Sequence, residues 1–300
     1  MDKIVIAGGS GFLGRCLVDY FKGRKELVIL SRKNAHISGA KVVIWDGRRQ
    51  GEWTSEIQGA KAVINLSGKS VDCRYTEQNK ALIYSSRIDS TRAIGKAIQG
   101  CTKPPEVWIN SSSATIYRHS LDTPMDEESG EMGDGFSVDV CRKWEEAFNA
   151  FELPNKRKVI ARIAIVLGRK GGALHPLRRL AKFGLGGHQG EGNQIVSWLH
   201  QDDFTAMIDY LINSNTLSGV FNSAAPNPVT NKVFMKALRE AMGIKFGIPT
   251  PTWLLQMGAR IIQTETELIL KSRYVIPGRF LDNHYRFRFS SVDSALLDLV

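Results

Sequence analysis

Residues 8–14 read Gly8-Gly9-Ser10-Gly11-Phe12-Leu13-Gly14. Glycines at the first, fourth and seventh of these places serve one chemistry, the holding of a pyrophosphate. Gly8 allows a tight turn, Gly11 lets backbone approach the anion, and Gly14 lets a helix pack on a strand. Free N–H groups at the start of that helix face the anion with the positive end of its dipole. Ser10, Phe12 and Leu13 lie in the same loop and are expected to contact the ligand. Further on comes Ser31-Arg32-Lys33. A site for an unphosphorylated ribose places Asp or Glu about 20 residues beyond the glycines. Arg32 stands there instead, and a guanidinium pairs with a 2′-phosphate. The spacing points to NADP(H), although Arg32 also reads as a solvated surface arginine.

The glycine loop needs a strand before it and a helix after it. Ile4-Val5-Ile6-Ala7 and the helix-like run from Phe12 to Phe21 supply both. Apolar, β-branched runs recur at 26–30, 41–45, 61–66, 107–111 and 159–166, with helical patterns at 12–22, 77–99 and 137–151. Strands alternating with helices imply an α/β fold, a doubly wound parallel sheet. Ligands of such sheets bind at the carboxyl ends of the strands. Leu66, Ser67, Gly68, Ser111 and Ser113 are therefore added to the glycine loop, Ser31 and Arg32 as site candidates. From about residue 168 the pattern becomes glycine-rich. Helices are expected at 174–183, 202–213, 231–242, 251–260 and 292–299. The expected division is a nucleotide-binding domain over 1–168 and a smaller, mainly substrate-binding part over 169–300. Segments near 202–225 are expected to return to the first domain.

Composition narrows the partners. Forty-three per cent hydrophobic residues in a 300-residue chain suffice for one or two cores. No apolar run reaches the ~20 residues of a membrane span, and no secretory leader is expected. Four scattered cysteines, Cys16, Cys73, Cys101 and Cys141, form no zinc or disulfide pattern and suit a reducing cytoplasm. No compact metal-ligand group is expected. The net charge of +10 suits a phosphorylated ligand. Lys and Arg are spread widely, with a modest cluster at Arg273, Arg279, Arg286 and Arg288, so nucleic acid is not an expected partner.

Together with Asn65-Leu66-Ser67-Gly68 and Ser111-Ser112-Ser113-Ala114-Thr115-Ile116-Tyr117, the glycine loop resembles the extended short-chain dehydrogenase/reductase superfamily. Arg162-Ile163-Ala164-Ile165-Val166-Leu167-Gly168-Arg169-Lys170-Gly171-Gly172-Ala173, Gly184-Leu185-Gly186-Gly187, Val196-Ser197-Trp198-Leu199-His200-Gln201-Asp202-Asp203, Pro249-Thr250-Pro251 and Val275-Ile276-Pro277-Gly278-Arg279 narrow it. The whole chain resembles the atypical "epimerase family" group, which ends in a C-terminal domain of unknown function. The resemblance implies a Rossmann fold, NADP(H) as cofactor, a small-molecule substrate and a possible homodimer through helices 77–99 and 137–151. It also implies that Arg87 and Arg162 touch the cofactor.

The superfamily's usual chemistry uses Ser, Tyr and Lys. The tyrosine exchanges a proton as hydride moves, and the lysine lowers its pKa. Ser113 matches the serine. None of the seven tyrosines (20, 75, 84, 117, 210, 274 and 285) has Lys four residues on. Phe136-Ser137-Val138 stands where the tyrosine is expected, followed by Arg142 and Lys143, either of which could supply the positive charge. Tyr117 is the nearest phenol in sequence to Ser113 and is the alternative proton donor, or a packing residue. His200 as acid/base and Trp198 as a stacking residue are weaker candidates, both more often structural. The expected function is an NADP(H)-binding oxidoreductase or epimerase-like enzyme. The alternative is a non-catalytic NADP(H)-binding sensor or interaction protein.

Overall fold

Buried parallel strands require side chains that are apolar on both faces, and Ile4, Val5, Ile6 and Ala7 are all fully buried. The computed structural model describes residues 1–261, 265 and 267–300. The first half runs β1 (Lys3–Ala7), α1 (Phe12–Phe21), β2 (Glu26–Ser31), β3 (Lys41–Ile44), β4 (Ala62–Asn65), α2 (Glu77–Gln99), β5 (Val107–Ser113), α3 (Phe136–Asn149) and β6 (Arg157–Ile163). Then follow β7 (Ile165–Gly168), β8 (Gly171–Gly172), α4 (Leu174–Lys182), β9 (Ile195–Val196), β10 (Trp198–His200), α5 (Gln201–Asn213) and β11 (Gly219–Ser223). The chain ends with β12 (Val229–Thr230), α6 (Asn231–Ala241), α7 (Thr252–Ile261), α8 (Glu267–Leu270), α9 (Gly278–Asp282) and α10 (Val292–Leu299).

Seven strands form one parallel sheet in the order β3-β2-β1-β4-β5-β6-β11. The order reverses between β1 and β4, and a doubly wound sheet opens its ligand crevice at such a switch point. Side chains alternate across the sheet. Ile4, Ile6, Leu27, Ile29 and Ile64 join α1 and α5 on one face. Val5, Ala7, Val28, Leu30 and Val63 join α2 and α3 on the other. Fully burying one Ile or Val contributes on the order of 1.5–3 kcal/mol, so a charge at Val5 would disrupt the face of the central strand that packs on α2 and α3.

The apolar run at 159–166 is two strands rather than one. β6 ends at Ile163, and the chain changes sheets at Ala164, whose N–H donates to Ser223 O (3.0 Å). β7 then pairs with β10 and β8 in a three-stranded sheet. Continuous apolarity hides this break because both sheets bury their strands. β11, downstream of α5, returns to the edge of the large sheet beside β6. The remaining C-terminal core gathers α4, α6 and α10 around Trp198, Phe234, Leu238 and Leu296. Among the described residues, no helix is long and apolar enough to cross a membrane.

Candidate functional site

The glycine loop joins β1 to α1, and its three glycines work differently. Gly8 has φ +75°, and a Cβ there would lie 2.9 Å from the Leu66 carbonyl carbon. A Cβ on Gly14 would fall 2.3 Å from Gly9 Cα, so this glycine is needed to seat α1 against the loop. At Gly11 a Cβ would meet only Gly8 O, at 3.4 Å, an ordinary contact. No protein neighbour demands Gly11; its missing side chain leaves open space over the helix start. Gly11 is also the N-cap and has no side chain to cap α1, so the first N–H groups of the helix stay available to an anion. A cradle of this kind fits a dinucleotide pyrophosphate. Phe12 fixes the cradle from the far side, its ring lying where a Cβ on Gly168, Gly171 or Gly172 would fall.

Two cavities meet at Leu66, Ser67, Gly68 and Lys69. The outer one, about 710 Å³, runs past Gly8, Ser10, Gly11, Ser31 and Arg32. Its far wall is the turn after β3, where Asp46 Oδ1 accepts from the N–H groups of Arg48 and Arg49, each at 2.8 Å. These two bonds, Arg49's first, hold the Asp46 carboxyl below the usual aspartate range. Arg32, Arg48 and Arg49 thus ring one end of the cavity. Arg48 and Arg49 follow a strand end, the signal that identified the other candidates, and sequence reasoning left this strand end out.

The inner cavity, about 570 Å³, is lined by Leu13, Arg87, Ser111, Ser113, Thr115, Lys271 and Arg273 among others. Buried polar groups shape its floor. Asn65 Nδ2 donates to Asn110 Oδ1 (2.8 Å) and Thr91 Oγ1 (3.1 Å), while Asn65 Oδ1 accepts from Ser67 N–H (3.1 Å). These bonds set the Leu66–Gly68 turn. Ser111 Oγ donates to Asn65 O (2.8 Å) and is thereby a wall group. Ser113 is half-buried, and its Oγ donates to Thr115 Oγ1 (3.0 Å) at the cavity edge. Arg87 lies over the Trp144 ring at 5.2 Å, and its Nη1 donates to Lys69 O (3.0 Å) and Ile83 O (3.1 Å). Burial holds its pKa below the usual arginine value.

Two sequence candidates turn away from both cavities. Arg162 is an inward strand residue of β6, and Glu145 of α3 takes it bidentately, with Nε–Oε1 at 2.9 Å and Nη2–Oε2 at 2.8 Å. Its Nη1 donates to Tyr117 Oη (2.9 Å), which donates on to Asn222 Oδ1 (2.9 Å). Ser112 Oγ completes the network on Glu145 Oε1 (2.6 Å). Burial opposes the Arg162 charge, but the Glu145 bonds override it and hold its pKa above the usual value. Arg162 is therefore a partner of Glu145 and lines neither cavity. Tyr117 is fully buried, and burial raises its pKa against the opposing pull of Arg162. A proton donor needs the reverse shift and access to the cavity, so Tyr117 does not fill that role.

Arg142 donates to Gly133 O (2.8 Å) and Lys143 pairs with Asp139 (2.9 Å), both on the exposed side of α3. His200 is buried and stacked on Phe289 at 3.8 Å. Its Nδ1 accepts from Asp202 N–H (3.0 Å), capping α5, so its Nε2 carries the proton and faces Asp298 Oδ2 (3.1 Å). His200, Asp202 and Asp298 lie close enough to share an ion, yet Asp298 is also taken by Arg169 and Asp202 by Arg288. Trp198 is core, with Nε1 donating to Asn227 O (3.1 Å). Sequence reasoning missed Lys69 as a lining residue, along with the joint role of Lys271 and Arg273; these come from the loop after β4 and the segment before α9.

Residues 4–134 match the NAD dependent epimerase/dehydratase family, and residues 250–299 match a domain of unknown function, DUF1731. The human epimerase family protein SDR39U1 is 30% identical over 304 residues, covering 99% of each chain. The epimerase family protein SAR0825 of Staphylococcus aureus is 30% identical over 302 residues, covering 100% of this chain and 99% of its own. A crystal structure of the human protein with NADPH superposes with a TM-score of 0.88 at 29% identity, over 99% of this chain and 98% of that one. The glycine loop, the sheet order and these full-length likenesses agree: the chain belongs to the epimerase family of Rossmann-fold proteins that end in DUF1731.

Proposed function

We propose that this chain binds NADP(H) across the two joined cavities and acts on a small molecule held in the inner one, between the large sheet and the C-terminal part. The observation that carries the reading is the continuity of the cavities. One end offers the glycine cradle and three arginines; the other offers hydroxyls and cations. The NADPH bound by the human relative supports the same choice of nucleotide. Arg32, with Arg48 and Arg49, would hold the 2′-phosphate. Gly8, Gly11 and the N-terminus of α1 would hold the pyrophosphate.

When bound, the dinucleotide supplies a hydride donor or acceptor. Ser113 then offers its hydroxyl to a substrate oxygen beside that end. A proton must also reach or leave that oxygen, and no Tyr-x-x-x-Lys is present to carry it. Lys271 stands in that region: its Nζ reaches Asp134 O (3.4 Å) just before α3, and it lines the inner cavity. Lys271 is the ammonium we assign to the proton step. The polar wall beside Ser113 favours an enzyme over a purely cofactor-binding protein.

The test is a screen of NADPH oxidation across carbonyl substrates, with Ser113→Ala and Lys271→Met run alongside. Turnover lost in both variants, with NADPH affinity within about twofold of the parent, is the expected result. Turnover unchanged in Ser113→Ala would remove the serine from the reaction. Tight NADPH binding with no turnover on any class would favour the sensor reading.

A further inference from the structure

Arg273 lies in the wall of the inner cavity, and its side chain is 13% exposed. Its main chain is pinned at both ends. Its N–H donates to Ile195 O (2.9 Å), and its carbonyl accepts from Ser197 Oγ (2.6 Å). The side chain is far less satisfied. Nη2 stands 3.6 Å from Glu267 Oε1, while Nε and Nη1 are buried and, among the described residues, have no hydrogen-bond partner. Ser67 Oγ, in another loop lining the same cavity, is also buried and without a partner among the described residues. Folded proteins pair nearly all such groups, so two residues with orphan groups in the lining of one cavity point to a ligand there.

The charges around the cavity have one sign. Lys69, Arg87, Lys271 and Arg273 line it, and no carboxylate lines it among the described residues. Glu267 stands behind Lys271 and Arg273 and serves both, at 3.5 and 3.6 Å. Glu265 is taken by Arg74 (3.3 Å) and Tyr75 N–H (2.9 Å). Burial works against the charge on both Arg87 and Arg273. A nicotinamide does not relieve this excess. It is neutral when reduced and cationic when oxidised, and the phosphates of the dinucleotide belong to the outer cavity.

We infer that the substrate carries an anionic substituent, a carboxylate or a phosphoryl group, and that Arg273 is the residue that binds it. The inference rests on the proposed NADP(H) site, because it assigns the inner cavity to substrate. Arg273 also gives the C-terminal part a role in specificity: the segment before α9 supplies the charge, and the sheet supplies Ser113.

The experiment titrates NADPH-saturated protein at constant ionic strength with succinate, glycerol 2-phosphate and neutral succinamide. Saturation keeps phosphate probes out of the glycine cradle. The expected result is that an anionic probe binds and succinamide does not. Whether succinate or glycerol 2-phosphate binds more tightly separates the carboxylate from the phosphoryl case. Arg273→Met should weaken the preferred anion about tenfold or more, as loss of a charged hydrogen bond implies. NADPH affinity should stay within about twofold, and Arg273→Lys should retain part of the anion affinity. The ligand-free Arg273→Met protein should melt higher than the parent. No binding of either anion, equal binding to parent and Arg273→Met, or an unfolded Arg273→Met protein would each overturn the inference. If NADPH itself does not bind, the cofactor reading fails separately. The Arg273-dependent binding of succinate can then still be read on the nucleotide-free protein.

Discussion

Two arginines on the carboxyl side of the sheet, Arg162 buried and Arg273 mostly so, have opposite fates. Arg162 on β6 has its guanidinium bonded by Glu145 and Tyr117 on Nε, Nη1 and Nη2. Arg273, in the wall of a cavity, leaves Nε and Nη1 without partners among the described residues. Burying a charge is costly unless it is paired, and the Arg162 network meets that cost within the fold. Among the described residues Arg273 has only the Glu267 carboxylate at 3.6 Å, shared with Lys271, and we assign the rest of its bonding to a ligand. A buried cation indicates function where its hydrogen bonds are missing, and architecture where they are complete.

The largest expected effect comes from breaking the satisfied pair. Glu145→Ala leaves Arg162 charged without its carboxylate, and urea unfolding should show a loss of about 3–5 kcal/mol. A loss under about 1 kcal/mol would mean that the network is not structural. Arg273→Met should act in the opposite direction and raise the stability of the ligand-free protein by about 1–3 kcal/mol, the usual cost of an unsatisfied buried group. Equal destabilisation by both substitutions would erase the contrast. Tyr117→Phe removes one hydrogen bond to the Arg162 cation, and chemical unfolding should read about 1.5 kcal/mol. Its NADPH affinity and turnover should match the parent; a collapse of turnover would return Tyr117 to the site.

The smallest effect is a pH dependence. Burial holds the pKa of His200 below its ordinary 6.5, so the unfolded chain takes up this proton first. Its contribution is fully present above about pH 6.5 and is lost as pH falls toward the folded value, with a slope of at most ~1.4 kcal/mol per pH unit. His200→Asn keeps an N-cap for α5 and should flatten the fall in stability below about pH 6.5. An unchanged slope would place the titration elsewhere.

Much of this was legible in the sequence. The order of apolar runs gave the parallel sheet, because strands buried on both faces must be apolar throughout. The backbone demands at Gly8 and Gly14 followed from the loop's spacing, and the place of Arg32 beside the outer cavity from its distance along the chain. The reading failed where the deciding fact was a partner far away in sequence. Arg162 carries the motif of a site residue, but Glu145 occupies it from α3. Tyr117 is close to Ser113 along the chain, yet the 3-10 turn at 114–116 directs it toward Asn222. Arg273 read as one basic residue in a loose cluster; its missing hydrogen bonds exist only in three dimensions. The break at Ala164 escaped notice because a strand that changes sheets stays equally apolar.

The central claim is that the joined cavities take NADP(H) through the glycine cradle and the arginines around the 2′-phosphate. Calorimetric titration of the parent and Arg32→Ala with NADPH and NADH tests it most directly. The account predicts that the parent prefers NADPH and that Arg32→Ala loses about tenfold or more in NADPH affinity, the scale of one charge-assisted hydrogen bond. NADH affinity should stay within about twofold of the parent. Equal loss for both nucleotides, or a parent that prefers NADH, would contradict the account.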